Sequence, residues 1–534
     1  GQGLPLFMPK GTKMIQKLQR WIEDLEDYEW GYVRTRTPLM AKSTLYKISD
    51  HWYHYKDGMF VFGYDNIDEL NNAEDATREI RGLEDLSLIE NDADANAFAL
   101  RPMTCPFQYY VYKAKQHSYR DLPYRMGETS TLFRNEDSGE MHGLTRVRQF
   151  TISEGHLVCT PEQIDEEFKN CVKLAKYCLT TLGLDGDVTY RMSKWDPENP
   201  GKYLGTAAEW DKVESAMREI LDEIGLDYTE ASGEAAFYGP KLDIQAKNVY
   251  GKEDTMITIQ LDMFLAERYD MYYIDKNGEK KRPYIIHRTS LGCYERTLAW
   301  LIEKYSGNFP TWLCAEQVRI LPISDKYQDY AEEIFAELRR NGVDVTIDSS
   351  SERIGYKIRK AQMEKLPYML VVGQQEAENK TVSVRSRFEG DEGSKPLSEF
   401  VNAICEEIRT KAIREKKVSE EEKKDVFKIL DSFGKSIEIE EKLMHTFTGI
   451  AGSLPAYVYM FMEALADGGV LEGMPRDEAY EIVAQTVKGS AEMLLKTGKH
   501  PGVLKDEVTS PAGTTIEAVN TLENGNFRGT VINA

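Results

Sequence analysis

Cys105, His156 and His287 are residues of the types that hold a metal ion. One thiolate and two imidazoles suit Zn2+, and three protein ligands leave a fourth position open for a substrate. The three lie far apart in sequence, so spacing alone does not join them. The competing reading makes each histidine a satisfied structural residue and Cys105 a small core residue. A second group is Arg134, Asn135 and Glu136 in FRNEDSGEMHGLTRVRQF. A planar guanidinium can fork onto phosphate or carboxylate, and a neighbouring carboxylate can orient a base or an amine. The plainer alternative is a cross-strand salt bridge on an exposed sheet. A third candidate is Arg296 in LGCYERTLAWLIEKY, early in a helix after Gly292. It could meet phosphates, or be a solvated helix-end charge.

These residues need elements to position them. Cys105 follows a turn (RPMTCP), His156 ends a strand (FTISEGH) and His287 sits in a strand (YIIHRT). TLFRNE and RVRQFT read as the arms of a long hairpin with a polar tip. Alternating segments from about 100 to 300 predict a large antiparallel sheet interrupted by helices such as EQIDEEFKNCVKLAKYCLTTLG. Upstream, residues 12–28 space their apolar groups as an amphipathic helix. The following WGYVRTRTPLM reads as a strand stopped by Pro38. Residues 66–98 are acidic and read as a surface insertion. From FPTWLCAEQVRILPIS onward, short strands alternate with helices, predicting a compact α/β domain with a partly parallel sheet. The charged run KAIREKKVSEEEKK then leads into a mostly helical remainder, with long helical stretches near 456–465, 476–496 and 515–522. The predicted fold class is α+β, with domains at 1–312, 313–412 and 418–534 and a linker at 413–417.

Of the 534 residues, 41% are apolar and 29% charged, an ordinary globular composition. The net charge of −22 argues against coating nucleic acid or membrane by bulk charge. It leaves room for a local basic groove. No stretch approaches the ~20 apolar residues of a membrane span. The seven cysteines are scattered and form no C-x-x-C pair, which fits a reducing, cytoplasmic setting. The first residues, GQGLPLFMPKG, show no signal pattern and no initiator Met, and a truncation or cloning remnant is expected there.

With these residues in view, positions 1 to about 412 resemble the threonyl-tRNA synthetases. The resemblance rests on RPMTCP, SYRDLPYRMGE, FRNEDSGEMHGLTRVRQFT, AFYGPKLD, IIHRTSLGCYER, FPTWLCAEQV, ERIGYKIR and PYMLVVG, in the family's order. It implies a class II aminoacyl-tRNA synthetase: an antiparallel sheet flanked by helices, three signature motifs and a homodimer. Motif 1 falls on the first helix and the strand ending at Pro38, at the dimer interface. In motif 2, Arg134 binds the ATP α-phosphate and the substrate carboxylate, with Glu136 near the adenine. In motif 3, Arg296 meets the γ-phosphate, and Mg2+ accompanies the ATP. The implied reaction joins L-threonine to tRNA(Thr) through an adenylate. Cys105, His156 and His287 match the family's zinc ligands. Zinc with open coordination binds the amino group and β-hydroxyl of threonine, whereas an apolar pocket rejects near-isosteric valine by only ~100-fold. Serine carries the hydroxyl and is rejected weakly.

The same resemblance places Met103, Tyr238 and Gln260 near the amino acid. Ile152 and Glu154 stand where the family often has Gln and Asp. Glu154 can still accept the threonine hydroxyl; Ile152 can neither donate nor accept. In the anticodon domain Glu376 and Arg385 match base-reading positions, and Ser351 replaces the usual Asn. Lys357, Arg359 and Lys360 either contact phosphates or form a solvated helix face. The domains that precede this core in longer family members, one of which hydrolyses seryl-tRNA, are not in the sequence. A truncated chain, editing elsewhere and tolerance of serine errors all remain open.

Residues 418–534 resemble the C-terminal dimerisation domain of pyrroline-5-carboxylate reductases, through AGSLPAYVYMFMEALADGGVLEGMPRDEA, KHPGVLKDEVTSPAGTTIEAV and LENGNFRGTVINA. Ser510, Pro511, Thr514 and Thr515 match the family's imine-substrate loop. Residues 451–455 read Ala-Gly-Ser-Leu-Pro in place of Ser-Gly-Ser-Gly-Pro. VSEEEKKDVFKILDSFGKSIEIE reads as the last helix and strand of a nucleotide-binding domain, yet no G-x-G-x-x-G follows a strand upstream. A helical dimer module is the favoured reading of this tail. The alternatives to a ligase are a non-catalytic assembly protein and a reductase fragment needing a nucleotide-binding domain in trans.

Overall fold

The computed structural model describes residues 2–63, 97–247, 253–414, 420–440 and 443–533. The insertion expected at 66–98 falls outside them, apart from its last two residues. The chain divides into two compact units, Gly1–Lys417 and Val418–Ala534. No helix among the described residues is long and apolar enough to cross a membrane.

The first unit opens with α1 (Pro9–Asp24), whose Leu18, Trp21 and Ile22 repeat at helical spacing and are buried. A wider turn, Leu25–Glu29, carries Glu26 inward. The strand expected up to Pro38 shrinks to β1 (Val33–Arg34). Beyond it, Thr35 and Thr37 turn their hydroxyls onto Glu128 instead of extending the ladder. A small antiparallel sheet follows, of β2 (Met40–Lys42), β3 (Val61–Phe62) and β4 (Phe98–Leu100).

The main sheet adds β5 (Tyr124–Phe133), β6 (Gln149–Cys159), β7 (Val188–Lys194), β8 (Tyr228–Ser232), β9 (Lys241–Lys247) and β10 (Glu253–Asp262). After the short hairpin β11 (Tyr273–Ile274) and β12 (Lys280–Lys281), it is completed by β13 (Tyr284–Cys293). Its order is β1-β5-β6-β13-β10-β9-β7-β8. The interior is antiparallel as expected, but both outer pairs, β1/β5 and β7/β8, are parallel. Alternation along each strand separates two faces. Leu157, Ile257 and Ile286 join a core with Phe168 and Leu179 of the helix Ile164–Thr181. The residues between them, such as His156 and His287, point to the other face.

Within the same unit, β14 (Val318–Pro322), β15 (Val345–Ile347) and β16 (Tyr368–Val372) run parallel. β17 (Thr381–Ser386) and β18 (Gly390–Pro396) are antiparallel. This is the partly parallel sheet read from the sequence. α1 reaches it: Trp21 meets Trp312 edge-on at 5.2 Å, and Lys17 lies 2.8 Å from Asp344.

The second unit is helical. Its principal helices, Leu454–Leu471, Arg476–Thr497 and Thr514–Asn524, contain the three expected stretches. The strand expected at IEIE does not form, since a lone segment has no ladder to join.

Candidate active site

Strand register assembles the site. His156 in β6 is the direct partner of His287 in β13, and His287 is the partner of Gln260 in β10. One row of side chains therefore crosses three strands on the open face. His156 lies inside β6 and not at its end, because the strand continues to Cys159. The imidazole centroids are 4.6 Å apart. Cys105 opens the helix Cys105–Lys113 beside them. One donor atom from each of Cys105, His156 and His287 lies within 4.8 Å of the others, and all three residues are buried.

The surroundings fit a metal ion. His156 Nδ1 faces Gln108 Oε1 at 2.5 Å, while its Nε2 is buried without a hydrogen-bond partner. His287 Nε2 lies 2.9 Å from Asp262 Oδ2 and 3.3 Å from the Tyr109 hydroxyl. Each ring is thus oriented through one nitrogen and keeps the other available, the arrangement that supports metal-bound histidine. Burial, with His287 and Arg288 nearby, lowers the His156 pKa and holds its ring neutral. Burial, reinforced by Glu154 and Asp262, raises the Cys105 thiol.

Cys105 and His287 form part of the wall of a cleft of about 750 Å3, with His156 buried beside them. Arg134 follows the end of β5, its guanidinium 5.2 Å from the Phe150 ring. Its Nε is buried and has no partner, and no ion pair holds it among the described residues. The cross-strand salt bridge considered from the sequence forms instead between Glu136 and Arg146, at 2.8 Å. Arg296 is not a solvated helix end. It donates from Nε to the Thr145 carbonyl at 2.8 Å and from a second nitrogen to Thr255, and burial lowers its pKa. Tyr238 donates its hydroxyl to Gln260 Oε1 at 2.9 Å, and Met103 lines the same wall. Glu154 Oε1 lies 3.7 Å from His156 Nε2, and its Oε2 is buried and unpartnered. Ile152 lines the cleft and packs against an apolar cluster of Leu132, Val147, Phe150 and Cys293.

Sequence reading passed over Gln108, Asp262 and His51. His51 is buried in the cleft wall, 2.8 Å from the Ser49 hydroxyl, with its pKa pushed down to about 3 by burial and by His287. The two histidines of HWYHY were the available signal.

The anticodon candidates sit on separate elements, and no hydrogen bond or ion pair joins them among the described residues. Ser351 is exposed before the helix Ile354–Met363. Glu376 accepts from the Gly373 backbone at 2.9 Å, and Arg385 pairs with Asp391 at 2.5 Å. Lys357 is buried and donates to the carbonyls of Pro322 and Asp348, so it is committed to the fold and not to phosphate. Arg359 and Lys360 are exposed. In the second unit, Ser510, Pro511, Thr514 and Thr515 lie exposed around the start of the helix Thr514–Asn524.

Three family models match successive parts of the chain. Residues 88–305 match the tRNA synthetase class II core domain (G, H, P, S and T). Residues 317–407 match the anticodon binding domain, and 441–534 match pyrroline-5-carboxylate reductase dimerisation. The threonine–tRNA ligase of Clostridium perfringens strain SM101 is 62% identical over 408 residues, covering 76% of this chain and 59% of that protein. That of Clostridium botulinum strain Eklund 17B is 60% identical over 411 residues, covering 77% and 60%. The chain therefore spans about three fifths of the length of these curated relatives. A crystal structure of the RNA binding domain of threonyl-tRNA synthetase from Cryptosporidium parvum superposes with a TM-score of 0.65 at 32% identity, covering 78% of this chain and 94% of that one. Sheet, cleft and matched core together define a class II synthetase fold. Within that class, the chain belongs to the threonyl-tRNA synthetase family.

Proposed function

We propose that the first unit is a threonine–tRNA ligase core, built from a catalytic domain at 1–312 and an anticodon-binding domain at 313–412. The observation that carries this reading is the buried Cys105–His156–His287 cluster at the edge of a cleft, lined by Cys105 and His287, that also presents Arg134 and Arg296, neither held by a carboxylate. Arg134 grips the ATP α-phosphate and the substrate carboxylate, and Arg296 the γ-phosphate, with Mg2+ bound to the nucleotide. Preset guanidinium forks meet the charge that builds on phosphoryl oxygens without reorganising. Glu136 lies toward the adenine. Zn2+ held by Cys105, His156 and His287 would supply Lewis-acid recognition of the amino group and β-hydroxyl of threonine. Glu154 accepts the substrate hydroxyl, while Met103, Tyr238 and Gln260 close the pocket around the amino acid. Ser351, Glu376 and Arg385 face the anticodon of tRNA(Thr). The enzyme works as a cytoplasmic homodimer, and the helical tail adds a self-association surface.

Threonine-dependent exchange of pyrophosphate into ATP tests the reading. The expected outcome is threonine-supported exchange that Cys105→Ala lowers by more than about 100-fold, with loss of bound zinc and an unchanged thermal melt. Undiminished exchange in a folded Cys105→Ala protein rejects the metal role, and no exchange with threonine in the parent chain rejects the ligase.

A further inference from the structure

The two imidazoles of the cluster are held differently. His287 leans on the carboxylate of Asp262, whereas His156 leans on the carboxamide of Gln108. A carboxylate offers only acceptors, but a carboxamide has an accepting end and a donating end. Whichever end faces His156 decides which ring nitrogen keeps its lone pair.

The chain sets that choice from a charged anchor. Arg101 has only donors and is buried, with one nitrogen 2.9 Å from Glu128 Oε1. Glu128, also buried, has only acceptors, and one of them takes the hydroxyl hydrogen of Thr35 at 2.9 Å. That hydroxyl has a single hydrogen, so its oxygen is left to accept. It accepts from Gln108 Nε2 at 2.7 Å. The amide is thereby turned with Oε1 toward His156 Nδ1. An oxygen at that position requires the hydrogen on Nδ1, and the lone pair falls to Nε2. Nε2 is the His156 atom that is buried and lacks a hydrogen-bond partner.

We propose that Gln108 is a positioning residue for the metal site, and that Arg101, Glu128 and Thr35 form the relay that fixes its orientation. Gln108 acts through His156 alone: it locks the ring's tautomer and aims Nε2 at the ion. The relay starts at Arg101, just after β4, and reaches His156 through four hydrogen-bonded links; Thr35, just after β1, is two links from the ligand. This proposal rests on the metal-site reading above, and its test separates the two.

The test measures metal binding without turnover. Zn2+ affinity is read by competition with a chromophoric chelator, and ligand geometry by the visible absorption of the Co2+-loaded chain. Gln108→Leu removes both ends of the amide and is expected to weaken Zn2+ binding by about 10- to 100-fold and to alter the Co2+ bands. Thr35→Val keeps shape but removes the acceptor, and is expected to weaken binding in the same direction. Thr35→Ser keeps the hydroxyl and is expected to bind like the parent. Parent-like affinity and Co2+ bands in Gln108→Leu overturn the relay and leave the metal site standing. If Gln108→Leu does not fold, equal affinities in Thr35→Val and Thr35→Ser overturn it. A parent chain that binds no Zn2+ sinks both readings.

Discussion

Arg288 follows His287 in β13 yet takes no part in the cluster, because successive strand residues point to opposite faces. Its guanidinium is 2.6 Å from Glu26, and Glu26 also accepts the Ser290 hydroxyl at 2.5 Å. Tyr32 lies against the cation at 4.0 Å. Burial works against the charge of Arg288, but Glu26 and Tyr32 more than offset it, so its pKa goes up. Gly155 is bare for the same reason: a Cβ there would stand 2.7 Å from the guanidinium and 2.6 Å from the Met126 carbonyl. Arg288→Met leaves Glu26 charged in the interior with only Arg34, at 2.9 Å, to balance it. Urea unfolding should show a loss of about 3–5 kcal/mol, and the double variant with Glu26→Leu should recover more than half of it. A single-variant loss below about 1 kcal/mol contradicts a matched buried pair. The three cluster residues were candidates by type, but what grouped them was the family resemblance, since their spacing in the sequence does not join them. Arg288, Asp262 and Gln108 were not legible. Glu26 and Arg288 lie 262 positions apart, and no local pattern in one sequence announces such a partner.

At the scale of elements, β13 serves two sites. Its middle presents His287, and its end turns into the helix Tyr294–Tyr305 that carries Arg296. The turn depends on a register shift between Thr289 and Gly292 against β6. Gly292 sits at φ +75°, and a Cβ there would fall 2.0 Å from the Met256 carbonyl, a backbone atom that cannot swing aside. Gly292→Ala is therefore expected to cost at least about 2 kcal/mol in thermal or urea unfolding. Displacing the helix start also moves Arg296 away from the Thr145 carbonyl. In exchange assays the KM for ATP should rise by a larger factor than the KM for threonine; equal factors contradict a phosphate role for Arg296. Periodicity found most of these elements. It located α1, the arms β5 and β6, and the strand–helix alternation after residue 313. It did not find what depends on pairing. The truncation of β1, the parallel edge pairs and the missing strand at IEIE are decided by which strand lies alongside, and a single strand's own residues do not say.

The whole molecule joins a unit with a closed core to one without. Among the described residues of Val418–Ala534, only Ala466 and Ala479 are buried. Leu471 is 85% exposed and Leu495 80%, and Tyr459 and Met460 are exposed as well. Soluble monomers rarely leave so many large apolar groups in water, and such faces mark association surfaces. A second copy of the same unit is the simplest cover, because a two-fold contact buries the same face on both partners. None of the candidate ligase residues lies beyond position 412, so the two roles should separate. Sedimentation velocity is expected to show the full chain in a higher assembly state than a chain ending at residue 412. Leu471→Asp with Leu495→Asp should shift the full chain toward the state of the shortened one. Threonine-dependent exchange should stay within about twofold throughout, since no charge or hydrogen bond at the cleft is altered. Equal assembly states with and without the tail refute self-association through it. Loss of exchange in a folded, shortened chain shows instead that the tail completes the catalytic unit.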